Sequence, residues 1–474
     1  MRSLYLLWIC FLLARFVAAQ DTQYWTQQFG TRSALMGGAV VGGVKDNTAI
    51  FYNPGGMGFI DTTSVSINAN LYRFENINIE NALGQTKGFK SAGFTSFPVL
   101  VSGMVATRNP RLKLGYGLVV PVDFSFKATA RVDGDYAVVP DDESPGLESF
   151  IGQVAFNSRV NETSVGLAIG YRLGQHFSIG LTNLFSLHSQ SFTKASLSRF
   201  YLNTTDRRLV SSDVIQNFSY NSFRYNARLG LTWLSKNVSI GLVATSPGLR
   251  MFGKGVVAVD ITANDIKYNG NRIDLLANDR QGKLKADFKS PFMVAAGINI
   301  RFHRSEIGVA TQYNAAQDVY DVLQAKPAAF VRPPEIYPNL GSDEFMRVKG
   351  GAKAVWNVSV GYEYLLSDVV TLNASVRSDR SYFDKDVLAT RGIKPTISTW
   401  DIYHFVGGAT LRSRRSTLSL GVLIGSGKDN NREQEGNLST PSEDNFLSGS
   451  TTITQATYHS IGLLIGFTFN FKKP

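Results

Sequence analysis

From about residue 61 to Phe471, apolar and polar positions alternate along the chain. Ile461, Leu463, Ile465, Phe467, Phe469 and Phe471 share one parity. Gly462, Gly466, Thr468 and Asn470 share the other, interrupted only by Leu464. The same period of two runs through Trp356, Val358, Val360, Tyr362 and Tyr364 against Asn357, Ser359, Gly361 and Glu363. It returns in Val370–Arg377 and Thr417–Ile424. Successive side chains of a strand point to opposite faces, so this is the pattern of strands with two different solvents on their two sides. A soluble sandwich strand alternates too, but its runs are shorter and less aromatic near their ends. The pattern predicts an all-β, transmembrane antiparallel barrel with one face on lipid and the other on a lumen.

Breaks in the alternation order the strands. Tight turns are expected near 108–111, 174–176, 235–237, 303–305, 366–368 and 412–416. Longer polar stretches fall near 81–87, 133–148, 201–221, 261–282, 325–352, 384–397 and 427–450. Short turns at one end and long loops at the other is the asymmetry of outer-membrane barrels, and the division gives about 14 strands. Both ends of the barrel then lie on the short-turn, periplasmic side.

Residues 20–60 break this scheme. They are dense in glycine (Gly30, Gly37, Gly38, Gly42, Gly43, Gly55, Gly56, Gly58) and show little alternation. A barrel of this width has a lumen that strand side chains alone do not fill, so a plug is the economical reading. A disordered leader would not carry Tyr24, Trp25, Phe29, Leu35, Met36, Ile50 and Phe51.

The first residues add an address. Arg2, an apolar run from Leu4 to Leu13 and the small residues before Gln20 form a secretory signal, cleaved near Ala19. Cys10, the chain's single cysteine, would leave with it. Ile9 is too large for a lipobox, and the mature chain would hold neither disulfides nor cysteine-bound metal. No later stretch is long and apolar enough for a spanning helix. The expected organisation is signal 1–19, hatch 20–60, barrel 61–471 and a tail at 472–474. The expected location is the bacterial outer membrane.

Charge and chemistry change this little. The net charge of +11 suits solvated loops, or contact with the phosphates of surface lipids. An exported barrel meets no nucleic acid routinely. His176, His188, His303, His404 and His459 show no metal-ligand spacing, and no phosphate loop occurs among the glycines. His188 lies near Ser186 and Ser189 without a nucleophile elbow. No cofactor, no metal and no enzymatic activity are expected. Asn203 and Asn373 open Asn-x-Ser/Thr triplets that carry no meaning in a bacterial barrel.

The stretches Gly30–Ala39 and Asp46–Met57 resemble the hatch of FadL-type transporters, the outer-membrane family that takes up long-chain fatty acids and aromatic hydrocarbons. The family's Asn-Pro-Ala element is matched by Asn53, Pro54 and Gly55, with Gly in place of Ala. Ser246–Gly255 resembles a further family segment more loosely. The resemblance implies a 14-stranded barrel closed by a hatch, a hydrophobic small-molecule ligand, and release by hatch rearrangement. It also implies a monomer and, as for any such barrel, lipid, lipopolysaccharide and the barrel assembly machinery as partners. A kink in the family's third strand opens the wall sideways. Here Gly115, Gly117 and Pro121 are the candidates, a plain bulge being the alternative.

A hydrophobic ligand needs an apolar pocket in an otherwise polar lumen, since exposing it to water costs about 25 cal/mol per Å². Tyr24, Trp25 and Phe29 are candidates to line it, or merely to anchor the plug. Arg377 has inward parity and is a candidate partner for a ligand carboxylate. A FadL-like barrel that serves a secretion system as a shuttle or scaffold is the alternative function; long loops would then carry the contacts. A general porin is disfavoured by the hatch-like segment. The chain runs past its last aromatic, Phe471, into Lys472, Lys473 and Pro474, where many outer-membrane chains stop.

Overall fold

The computed structural model describes residues 22–268, 270–332, 341–387, 391–443 and 452–471. The proposed signal, residues 1–19, and the tail, 472–474, lie outside the described residues. Fourteen antiparallel strands close into a barrel. In chain order they are β1 (Ser64–Ile79), β2 (Phe89–Ala106), β3 (Leu112–Tyr136), β4 (Glu148–Arg172), β5 (Phe177–Tyr201) and β6 (Leu209–Leu234). The next two are each split: β7 into Val238–Thr245 and Leu249–Tyr268, β8 into Asn271–Lys285 and Met293–Phe302. Then follow β9 (Ser305–Asn314), β10 (Val355–Leu365), β11 (Val370–Asp379), β12 (Asp401–Arg412), β13 (Ser416–Glu433) and β14 (Ile453–Asn470). Each pairs with its chain neighbour, and β14 pairs with β1 from Ser64↔Asn470 to Ile79↔Ala456 to close the ring. Closure gives every one of these strands two neighbours, so that no strand is an edge of the sheet, as a hydrocarbon environment requires.

The alternation maps onto the two faces. Trp356, Val358, Val360, Tyr362, Ile461, Leu463, Phe467 and Phe469 are all exposed on the outer wall. Their neighbours Asn357, Ser359, Ser460 and Thr468 are buried within. An apolar outside with a polar inside inverts a soluble protein and fits a wall set in lipid.

The wall is lopsided. β9 to β12 are 10 to 12 residues long, whereas β3 to β6 run 25 or 26. About 10 tilted residues suffice to cross a bilayer, so the long strands project well beyond it. Two expected loops are corrected here: most of 201–221 belongs to β6, and 261–282 holds the ends of β7 and β8. Above the bilayer the outer face of a strand meets water while its inner face packs on an apolar core, so the sense of the alternation inverts and the lipid-facing signal is lost. Between β9 and β10 the chain instead folds as a cap with short strands Gln317–Leu323 and Val348–Ala352. Beneath the cap, the upper lumen is filled by an apolar core of Phe89, Phe124, Phe126, Phe150, Phe192 and Trp400, among others.

Residues 22–60 lie within the ring. Helix α1 (Thr31–Leu35) touches β1 and β11 to β14. A 3-10 helix, Pro54–Phe59, touches β3 to β6 on the opposite side. A short helix α2 (Ala49–Tyr52) lies between them in sequence. A segment in contact with opposite walls can only be inside.

Candidate functional site

The fit between this segment and the wall rests on inward glycines. A Cβ on Gly42 would sit 2.7 Å from the carbonyl oxygen of Gly297 and 2.8 Å from that of Ser239. One on Gly55 would sit 2.8 Å from Gly230 O. Those obstacles are backbone and cannot swing away. Gly37 and Gly38 turn the chain with φ of 61° and 84°, a conformation that glycine alone adopts without cost.

Asn53 fixes the segment to the wall. Its Nδ2 donates to Val41 O at 2.8 Å, to Thr232 Oγ1 at 3.0 Å and to Leu231 O at 3.1 Å. Its Oδ1 accepts from Gly55 N at 3.0 Å, capping the 3-10 helix that Pro54 begins. The predicted Asn53-Pro54-Gly55 element thus ties two parts of the segment to β6 and places its glycine at the close approach.

A second tie is ionic. Arg32 meets Glu363 of β10 at 2.6 Å and Glu306 of β9 at 2.7 Å, and all three are largely buried. Lys45 also pairs with Glu306. Burial opposes the Arg32 charge, but Glu363 and Glu306 outweigh it and hold the guanidinium above its usual pKa. Sequence reasoning missed these residues, although Glu363 had the lumen parity.

Above the segment lies a cavity of about 260 Å³. Phe29 and Phe51 form its floor, with Val119, Pro121, Val122, Val160 and Leu184 beside them. Its polar end is Glu162, whose Oε2 accepts from Arg224 at 2.7 Å and faces His188 Nδ1 at 3.1 Å. The His188 ring stacks on Phe288 with centroids 3.7 Å apart. Ser186 is bonded to Ser164 rather than to His188. Arg228 also lines the cavity, its Nε on Thr245 Oγ1.

The predicted pocket residues divide. Tyr24 and Phe29 line the cavity. Enclosure pushes the Tyr24 phenol well above its usual pKa, with Tyr320 adding to the effect, so it stays neutral. Trp25 is not in the cavity lining: its indole N–H donates to Gln312 at 2.6 Å. Arg377 is inward and buried, but it donates to Trp25 O and Thr26 O at 3.2 and 3.0 Å. It holds the segment rather than facing the cavity.

The wall candidates divide too. Gly115 and Gly117 sit in regular ladder, opposite Met104 and Ser102, and make room for Ile50, Met57 and Phe51. The irregularity falls later, between Val119 and Val122, and contains Pro121. It reverses the parity of β3: Gly115, Gly117 and Val119 face in below it, Phe124 and Phe126 above. Among the described residues the β2–β3 ladder ends at Leu100↔Val119. Higher up, Lys127 N donates to Ser91 Oγ at 3.1 Å. Pro98 and Pro121, one on each strand just past that point, have no N–H to continue it. The cavity lining includes Val119, Pro121 and Val122, so it reaches this break.

No family model matches the chain, and no curated protein matches it. Solved structures do. The Pseudomonas putida toluene transporter TodX aligns with a TM-score of 0.61 at 14% identity, over 96% of this chain and 100% of that one. The fold is that of the FadL-type transporters. A Pseudomonas aeruginosa FadL homologue aligns at 0.58 and 12% identity, over 96% and 99%. The Ralstonia pickettii toluene transporter TbuX aligns at 0.55 and 13%, over 94% and 98%. At such identities the FadL-type fold is shared while the residues around the cavity are this chain's own.

Proposed function

We propose that this protein is an outer-membrane uptake channel for small hydrophobic molecules, with residues 22–60 as its hatch. The observation that carries the reading is the apolar cavity lying on that segment and reaching the break in the wall. A cavity on the order of 150 Å³ is enough to hold benzene. About 260 Å³ therefore suits a single aromatic ring or a compact terpenoid better than a long acyl chain stretched out. Structural neighbours named as toluene and monoaromatic hydrocarbon channels are in keeping with that size.

The same geometry supports a sideways route. A ligand in the cavity has the hatch below it and the end of the β2–β3 ladder beside it. Sideways exit keeps an apolar molecule out of water and passes a stretch where, among the described residues, the β2–β3 ladder has no bonds to break. Downward exit requires the ties of Asn53 and Arg32 to break. The lateral route is the less costly of the two, and hatch rearrangement serves to shape the cavity floor.

Deleting the gene in its host and following accumulation of labelled toluene, alongside the profile of secreted proteins, tests the function. Loss of accumulation with unchanged secretion is expected. Altered secretion with normal accumulation would mean a secretion shuttle instead.

A further inference from the structure

The outer wall carries a basic groove that the transport reading does not use. It is lined by Arg159 of β4, Lys254 of β7 and Lys283 of β8, with Asn161, Ser191 and Asn221 between them. The register fixes its height. Asn161, Ser189, Asn221, Lys254 and Lys285 are successive partners across five strands. Two residues lower, the outward rung is Leu187, Phe223 and Phe252, about 7 Å down the strands. Phe223 stacks on Phe252 at 4.7 Å and on Phe185 at 6.4 Å, and Phe185 meets Tyr225 at 5.4 Å. Such an aromatic row marks the edge of the hydrocarbon layer. The basic groove therefore begins where lipid headgroups begin.

Three features of the groove call for an anion from outside. Lys254 and Lys285 are direct cross-strand partners, both exposed, and like charges so placed repel. Lys283 stands in the left-handed region at φ 58°, costly for a lysine, within the register shift that opposes Gly255 and Val257. Such a bulge re-aims a side chain, here into the groove. No ion pair within 4 Å involves Arg159, Lys254, Lys283 or Lys285 among the described residues.

We propose that this groove binds the phosphorylated headgroup of an outer-leaflet lipid, with Arg159, Lys254, Lys283 and Lys285 as the phosphate ligands. The acyl chains of that lipid would lie down the wall against Phe185, Phe223 and Phe252. Arginine and lysine supply the charge, and the Ser and Asn side chains supply neutral hydrogen bonds to sugar or phosphate oxygens.

Native mass spectrometry of the full-length protein in detergent, titrated with bisphosphorylated lipid A, tests this. The comparison ligands are the same lipid with its phosphates enzymatically removed, and inorganic phosphate. Wild-type protein should retain the bisphosphorylated lipid and release the dephosphorylated one. The triple variant R159A/K254A/K283A should bind it about a hundredfold more weakly, each cation near a lipid surface contributing roughly a factor of five. All three side chains are exposed, and heat-shifted gel migration reports whether the variant barrel has formed. K254R/K285R should retain binding. Equal retention of the dephosphorylated lipid overturns the proposal, as does unaltered binding by a folded triple variant. Saturation of the groove by inorganic phosphate as readily as by the lipid would make it a plain anion site and overturn the lipid assignment.

Discussion

Asp379 of β11 accepts the backbone N–H of Trp25 at 2.9 Å, so a wall residue fixes the entry of the N-terminal segment into the lumen. Its second oxygen takes the Thr26 hydroxyl at 2.8 Å. Two positions earlier on the strand, Arg377 binds the carbonyls of Trp25 and Thr26. Donor and acceptor are thus matched on one strand to donor and acceptor on one dipeptide. Hydrogen bonds to charged groups contribute about 1.5–3 kcal/mol each. Asp379→Ala should release residues 22–29 while leaving the barrel closed. A spin label at Tyr24→Cys reports it: its spectrum should sharpen in the variant, and an unchanged spectrum would contradict the anchoring role.

Asn53 permits a sharper comparison. Asn53→Ala removes bonds to three oxygens and the cap on Gly55 N. Asn53→Asp keeps the cap but turns an oxygen toward those three acceptors. Repulsion in a buried setting exceeds simple loss, so Asp should be worse than Ala by about 1 kcal/mol or more. The readout is single-channel conductance in planar bilayers, where a loosened segment leaks small ions. The expected order of leak is wild type, Asn53→Ala, Asn53→Asp.

Arg32 is surrounded by two carboxylates in the lower lumen. Arg32→Met leaves Glu306 and Glu363 buried without it, a loss on the order of 3–5 kcal/mol. Adding Glu363→Gln removes one of the stranded charges and should recover part of that. Protease cleavage within residues 22–60, measured on folded barrels, should rise strongly in the single variant and less in the double one.

The bulge in β3 has one extra residue, since Val119 pairs with Ser164 and Val122 with Glu162. Deleting Val120 should restore regular pairing with β4, and adding Pro121→Val to the deletion returns an N–H toward β2, so that the wall break narrows. Toluene accumulation by cells should fall at least tenfold while barrel assembly remains normal. Full transport by the deletion variant would rule out lateral exit.

The sequence carried the barrel well because lipid and lumen impose opposite demands on alternate residues, as in Ile461–Phe469. It failed where that contrast inverts: 209–221, 261–268 and 271–282 are strand, yet their inward residues, Val210, Phe218 and Ala277 among them, pack on the apolar upper core while the outward ones meet water. Asn53-Pro54-Gly55 was legible from its resemblance, and the glycine-rich run from its density alone. The partners of Arg32 were not, because Glu306 and Glu363 lie hundreds of residues away and only ring closure brings them together. Arg377 had the correct parity but serves a backbone, a distinction that periodicity does not encode. Gly115 and Gly117 read as weak points in a strand; they are instead sites of close packing, and the true irregularity lies at Pro121.

The cavity above the N-terminal segment is expected to receive a small apolar ring. Crystals of the purified protein soaked with bromobenzene would locate such a ring by anomalous scattering from bromine. A peak between Phe29, Phe51 and Leu184, abolished in Leu184→Trp, is the predicted result. A lumen without bromine density, with peaks confined to the outer wall, would contradict it.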